Sequence, residues 1–250
     1  MRYLIISDLH SNREALEAVL KAARGLHDRI VCCGDLAGYG PDPNHVIDWA
    51  RKNLDAVIRG NHDRACSGLE SLEWFNPVAK MATEWTMANL SPENLAWLLA
   101  LTPGPMAVDG FRLIHGSPLD EDEYVTSLTD ARNVFSYLEG KVGFFGHTHL
   151  QGGFSWVNGL YSYAVQMDPF NCSRKAKTVF RLDPDGSYLI NPGSVGQPRD
   201  GDPRAAWAIY DSDEKEVALH RTAYDWEKTC GKIQAAGLPD ILGTRLGRGH

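Results

Sequence analysis

Three stretches decide how this chain folds: YLIISDLH (residues 3–10), RIVCCGD (29–35) and AVIRGNHD (56–63). Each opens as a short apolar run suited to a buried strand, then breaks into polar residues. Two helical patterns lie between them. Asn12 is placed to cap a helix running to about Arg24, with Leu16, Val19, Leu20 and Ala23 on one face. Asp42 precedes Pro43 at a first helical position, so a second helix is expected over Pro43–Lys52. Strand–helix–strand–helix–strand is the pattern of a parallel sheet with helical crossovers, which makes the fold class α/β.

Further along, Ser67–Leu101 reads as helical, with cap-plus-proline starts at Asn76-Pro77 and Ser91-Pro92. Trp74, Phe75, Trp85, Leu90 and Trp97 there are expected to be core, with a substrate-facing aromatic as the lesser alternative. Met106–His115 reads as a hairpin turning at Asp109-Gly110. Thr129–Leu138 is a helix and Val142–Phe145 a strand. From Gln151 to His220 the pattern is β-rich, with turns at Asp185-Gly186 and Asp213-Glu214, and Tyr224–Ala236 is a closing helix. The change to mostly β could mark a boundary near residue 150. The motifs below straddle that point, so one domain over residues 1–240 is expected, with the helical segment 67–101 inside it and a frayed tail at 241–250.

Of the 250 residues, 43% are hydrophobic and 23% charged, which excludes a mostly disordered chain. The longest apolar stretch, Leu95–Leu101, is too short to span a bilayer. Asp8 interrupts the first apolar run before a secretion signal could develop, and five cysteines without framework spacing suit a reducing compartment, so a cytoplasmic protein is expected. The Asn-x-Ser matches Asn89–Ser91 and Asn171–Ser173 are then chance. A net charge of -7 disfavours a nonspecific nucleic-acid binder, and an acidic chain acting on anions needs a local positive source.

The residues just past the strand ends suggest that source. Asp8 and His10 come after the first strand, Asp35 after the second, and Asn61, His62 and Asp63 after the third. His115 ends the Phe111–Ile114 strand, and His147 and His149 come after Val142–Phe145. In an open α/β sheet, ligands bind beyond the carboxyl ends of the strands. Singly, each motif reads as a turn or a cap. Together they bring carboxylate, amide oxygen and imidazole to one edge, where burial without partners would cost roughly 1–3 kcal/mol per group. This donor set, lacking thiolate, suits Mn²⁺, Fe²⁺, Zn²⁺ or Co²⁺. Seven donors exceed one open catalytic ion and fit two ions sharing a carboxylate, although spacing does not say which carboxylate is shared. Cys32-Cys33 reads as a buried strand pair. No Walker A loop, His-Glu-x-x-His, Gly-x-Ser-x-Gly or Cys-x₅-Arg loop is present.

The ordered set Asp8-x-His10, Gly34-Asp35, Gly60-Asn61-His62-Asp63, His115 in LIHGS and Gly146-His147-Thr148-His149 resembles the calcineurin-like metallophosphoesterase superfamily. Asn191–Arg204 (NPGSVGQPRDGDPR) is similar to a loop of its compact prokaryotic members. The resemblance implies a four-layer α-β-β-α sandwich, two mixed β-sheets flanked by helices. It implies one metal held by Asp8, His10 and His149, a second by Asn61, His115 and His147, and Asp35 bridging them. His62 would be the general acid, with Asp63 orienting its ring.

The implied activity is hydrolysis of small phosphomonoesters or phosphodiesters, nucleotides included, by in-line attack of a metal-bridging hydroxide, with manganese favoured. Arg59, Arg199 and Arg204 are the candidates for gripping phosphate oxygens. Asn191–Gln197 is expected to supply backbone amides or a rigid wall, and the GYGPDP segment a rim. The rival readings are a non-catalytic interaction module on the same fold, opposed by the complete donor set, and a nuclease, opposed by the acidic charge. Monoesterase, diesterase and dinucleoside-polyphosphate hydrolase all stay open, as does oligomeric state.

Overall fold

In the computed structural model, which describes residues 1–165 and 175–250, strand β1 (Arg2–Ile6) lies inside a six-stranded sheet. On one side come β2 (Arg29–Cys32) and β3 (Ala56–Val57), all parallel. On the other come β11 (Ala205–Asp211), β12 (Glu216–Thr222) and β9 (Lys177–Arg181), all antiparallel. A second sheet runs in the order β4 (Met106–Val108), β5 (Phe111–Leu113), β6 (Val142–Phe144), β10 (Ser187–Asn191), β7 (Gly152–Val157) and β8 (Leu160–Val165). It too is mixed, with β5, β6 and β10 parallel.

Strand alternation sorts the core into layers. Tyr3 and Ile5 of β1 meet Phe111, Phe144 and Ile190 between the two sheets. Leu4 and Ile6 point the other way, under α1 (Arg13–Ala22) and α2 (Pro43–Asn53), where Leu16, Val19, Val46 and Ile47 cover them. On the far side, Phe154 and Leu189 pack under α6 (Leu128–Tyr137) through Ala131 and Val134. Helix, sheet, sheet, helix is the expected four-layer sandwich. Cys32 and Cys33 divide between the outer and the inter-sheet clusters, as a strand pair must.

The local signals worked as physics suggests. Asn12 caps α1 by accepting from Ala15 N–H at 3.1 Å. Asp109 and Gly110, at φ 38° and 91°, form the β4–β5 turn. Ser67–Leu101 is not one helical run. It holds a 3₁₀ turn (Leu72–Trp74), α4 (Pro77–Asn89) and α5 (Pro92–Ala100), each α-helix starting at its predicted cap and proline. Gly60-Asn61-His62-Asp63 opens a short helix, α3 (Asn61–Cys66), and is no turn. The Asn171–Ser173 match lies outside the described residues.

The expected frayed tail is corrected. After α7 (Trp226–Ala235), the chain forms α8 (Asp240–Thr244) and a 3₁₀ turn, Leu246–Arg248. Leu242 and Leu246 are buried against Ile233, Leu238, Ala79 and Ala82. The glycines that suggest fraying allow close packing: a Cβ on Gly247 would sit 2.8 Å from the Trp226 ring. Leu242→Ala should therefore cost about 2–5 kcal/mol and lower the melting temperature by several degrees in a thermal scan. An unchanged melting temperature would contradict this packing.

Candidate metal centre

The ends of β1 and β2 from one sheet and β5 and β6 from the other open onto the same edge. Asp8 and His10 leave β1, Asp35 leaves β2, His115 follows β5, and His147 and His149 follow β6. The first turn of α3 adds Asn61, His62 and Asp63. Five of these residues hold left-handed backbone: Asp8 (φ 53°), His10 (44°), Asp35 (56°), His147 (65°) and His149 (60°). Such conformations cost on the order of 1–3 kcal/mol each and persist only where surroundings enforce them. Enforcement comes partly from the loop after β10. Gly196 N–H and Ser194 Oγ–H both donate to Asp8 O, at 2.9 and 2.8 Å, and Val195 N–H donates to Ser7 O at 3.0 Å.

The imidazoles are fixed by their second nitrogens. Nδ1 of His10, His115 and His149 faces the backbone carbonyls of Ala37, Cys33 and Gln197 at 3.0, 2.8 and 2.6 Å. A carbonyl only accepts, so each Nδ1 carries hydrogen and each Nε2 turns to the centre. His147 is reversed: Nε2 donates to Asp122 O at 3.1 Å, and Nδ1 faces inward.

Two clusters of donors result, Asp8–His10–Asp35–His149 and Asp35–His115–His147, with the donor atoms of each within 4.8 Å of one another. Asp35 is common to both. Asn61 Oδ1 lies 3.1 Å from both His115 Nε2 and His147 Nδ1, on the second cluster.

The donor set fits a pair of cations. Nε2 of His10 and of His149 stand 3.0 Å apart with lone pairs facing, an arrangement that repels unless positive charge lies between them. Oδ2 of Asp8 and of Asp35 are buried without a hydrogen-bond partner. Orphaned carboxylate oxygens in a low-dielectric interior are strongly unfavourable until a counter-charge arrives.

The same crowding moves the acidities. Burial, reinforced by Asp35, pushes Asp8 up to about 7. For Asp35 burial raises the pKa, but His115 and the neighbouring histidines outweigh it and hold the carboxyl well below its ordinary value. His115 answers that charge: burial lowers it, Asp35 overcomes burial, and the ring rises to about 10. Burial keeps His10 and His149 far below the ordinary histidine value and brings His147 to about 3.

His62 stands beside the clusters. Its ring centroid is 5.0 Å from His10, 4.4 Å from Tyr39 and 5.8 Å from Phe75. Its Nδ1 is buried without a partner, and burial lowers the ring to about 4. Gly38 crowds it so closely that an added Cβ would lie 2.8 Å from Nδ1.

Asp63 does not orient that ring, which corrects the expectation. Its carboxylate accepts from the backbone N–H groups of Leu36, Ala37 and Gly60 at 2.9, 3.0 and 3.1 Å, tying the loop after β2 to the start of α3. Backbone amides outcompete an imidazole here because the two loops meet over the carboxylate.

The arginines separate. Arg59 is spent on Glu121 at 2.9 Å, and Arg204 forks onto Asp202 at 2.6 Å. Arg199 lies among the site residues, its charge acting on His10, His62 and His149. Sequence reading gave no site role to Tyr39 beside His62, to Tyr124, whose ring is tilted 4.1 Å from that of His147, or to Arg245, and it expected Phe75, which packs at His62, to be core. The GYGPDP rim pointed to Tyr39 and the aromatic load of 67–101 to Phe75, whereas Tyr124 and Arg245 carried no signal.

Among the described residues, no helix is long and apolar enough to cross a membrane. The Calcineurin-like phosphoesterase superfamily domain matches residues 1–215. The chain is 36% identical to an uncharacterized protein of Methanocaldococcus jannaschii, over 97% of this chain and 96% of that one. It is 39% identical to the crystal structure of a metallophosphoesterase from Sphaerobacter thermophilus, with a TM-score of 0.85 over 100% and 99% of the two chains. A hypothetical protein from Pyrococcus horikoshii shares the fold at 17% identity, TM-score 0.79, over 100% and 98% of the chains. With motif order, two-sheet fold and clustered donors in agreement, the chain belongs to the calcineurin-like phosphoesterase superfamily.

Proposed function

We propose that this protein hydrolyses small phosphate esters with two divalent cations, one held by Asp8, His10 and His149, the other by Asn61, His115 and His147, with Asp35 shared. The observation that carries the reading is the pair of buried clusters with Asp35 in common. When bound, the cations supply an activated water and neutralise the phosphoryl oxygens. The donor set contains no thiolate, which suits Mn²⁺, Fe²⁺, Zn²⁺ or Co²⁺, and manganese is the ion to supply first.

The chain's own groups do the rest. Three imidazoles present Nε2 because backbone carbonyls hold Nδ1–H, so the donors need little reorganisation. His62 is the proton carrier for the leaving oxygen. Burial keeps it neutral in the empty site, and an arriving phosphate dianion raises its proton affinity. In its protonated form the ring donates to the leaving oxygen. Tyr39 and Phe75 pack against it and limit its rotamers.

His62→Ala should retain bound metal and lose about 10²–10⁴ in kcat on alkyl phosphates, the usual worth of a general acid. The loss on para-nitrophenyl phosphate, whose leaving group needs no proton, should be much smaller. Equal losses on both would remove His62 from the acid role.

Chelating the metal should lower the melting temperature by about 5–10 °C per site that had been held at a hundredfold excess over Kd. Near pH 6, Asp8 at about 7 and His115 at about 10 carry protons that an entering cation displaces, whereas Asp35 is already ionised and His10 and His149 already neutral. Apparent affinity for manganese should therefore strengthen as pH rises through 7, with net proton release in calorimetry. A pH-independent affinity would contradict this donor set.

A further inference from the structure

Two guanidiniums share one tyrosine at the edge of the site. Arg199 lies 5.7 Å and Arg245 5.9 Å from the centroid of the Tyr39 ring. That ring is itself 4.7 Å from His10 and 4.4 Å from His62. Arg199 donates to Gln197 Oε1 at 3.0 Å and to the Tyr39 hydroxyl at 3.4 Å, and its Nε is buried without an acceptor. Arg245 donates to the main-chain oxygen of His250 at 2.5 Å. Neither meets a side-chain carboxylate among the described residues, whereas Arg204 is paired with Asp202 and Arg221 with Asp200. With 32 acidic against 25 basic residues, partners are not scarce in this chain. Two neighbouring arginines without side-chain acids repel each other, and an anion within reach of them relieves that repulsion.

Tyr39 is held there at a cost. Its φ is 56°, a left-handed conformation worth roughly 1–3 kcal/mol against a bulky residue. Beyond the ring opens a cavity of about 350 Å³, lined by Tyr39, Asn76, Val78, Ile241, Arg245 and His250. Its lining joins apolar and aromatic surface to one cation, as small-molecule sites do. The flank beyond His147 differs in charge. There Arg59 and Arg64 are saturated by Glu121, Asp122 and Glu70. Arg199 and Arg245, which meet no side-chain carboxylate among the described residues, stand instead at Tyr39, on the His62 side of the site.

We infer that the cavity beside Tyr39 receives a leaving group that carries its own phosphate, gripped by Arg245 in the cavity wall, with Arg199 near the same Tyr39 ring, so that the substrates are small molecules with two phosphates, one cleaved and one retained. This rests on the phosphoesterase reading and on His62 facing the leaving group. The oxygen of water bonds to the cleaved phosphorus as the P–O bond to the leaving group breaks. The leaving oxygen takes a proton, and the retained phosphate leaves unchanged.

Adenosine 5′-monophosphate and adenosine 3′,5′-bisphosphate form a matched pair of esters for the test. With the full-length, manganese-loaded protein, kcat/KM should favour the bisphosphate by about tenfold or more, the usual worth of a hydrogen bond to a charged group. Arg245→Gln should abolish that preference, and Arg245→Lys should keep most of it. Calorimetric binding of both nucleotides to the metal-stripped full chain reads the same preference without turnover. An unchanged ratio in an Arg245→Gln protein that melts like wild type, or equal binding of the two nucleotides by the wild type, would overturn the inference. Preferential binding without hydrolysis of any ester would support the subsite and sink the phosphoesterase reading. Hydrolysis without preference would do the reverse.

Discussion

The structure turns on an electrostatic constraint: carboxylate oxygens and imidazole lone pairs are buried together with too little positive charge among them. Oδ2 of Asp8 and of Asp35 have no hydrogen-bond partner, and two Nε2 atoms face each other at 3.0 Å. Protons relieve this only in part, as the raised pKa values of Asp8 and His115 record. Cations relieve it fully, because one ion satisfies several donors at once.

Holding such a cluster requires a rigid frame, and the two-sheet sandwich supplies it. Four strands from two sheets end at one edge, so donors far apart in sequence are set by the packing between the sheets. The loop after β10 then ties the loop after β1 through Ser194, Val195 and Gly196. Asp63 does the same for the loop after β2. Left-handed backbone at five donor positions is sustained by these ties. His62 and Tyr39 are packed on one side of this frame, so the groups that would handle the leaving oxygen are as fixed as the donors.

Much of this was legible in the sequence. Strand ends were marked by apolar runs breaking into Asp, Asn and His. Helix starts were marked by Asn12, Asn76-Pro77 and Ser91-Pro92, because capping and proline geometry are local. What escaped was non-local. Asp63 reads as a partner for its neighbour His62, yet its carboxylate is taken by amides some 26 and 27 residues earlier in the chain. The tail reads as frayed because its glycines look flexible, yet Gly247 lies flat against Trp226 and Leu246 fills a cluster shared with α4 and α7. Arg245 was hidden for the same reason, since its place beside Tyr39 depends on that packing. Arg59 and Arg204 were indistinguishable from Arg199 until Glu121 and Asp202 were seen to occupy them.

The most direct measurement is anomalous X-ray scattering from crystals of the full chain grown with manganese. Two peaks about 3.5–4 Å apart are expected, one among Asp8, His10 and His149, the other among Asn61, His115 and His147, with Asp35 touching both. A single peak, or none within reach of these side chains at saturating manganese, would contradict a two-cation centre.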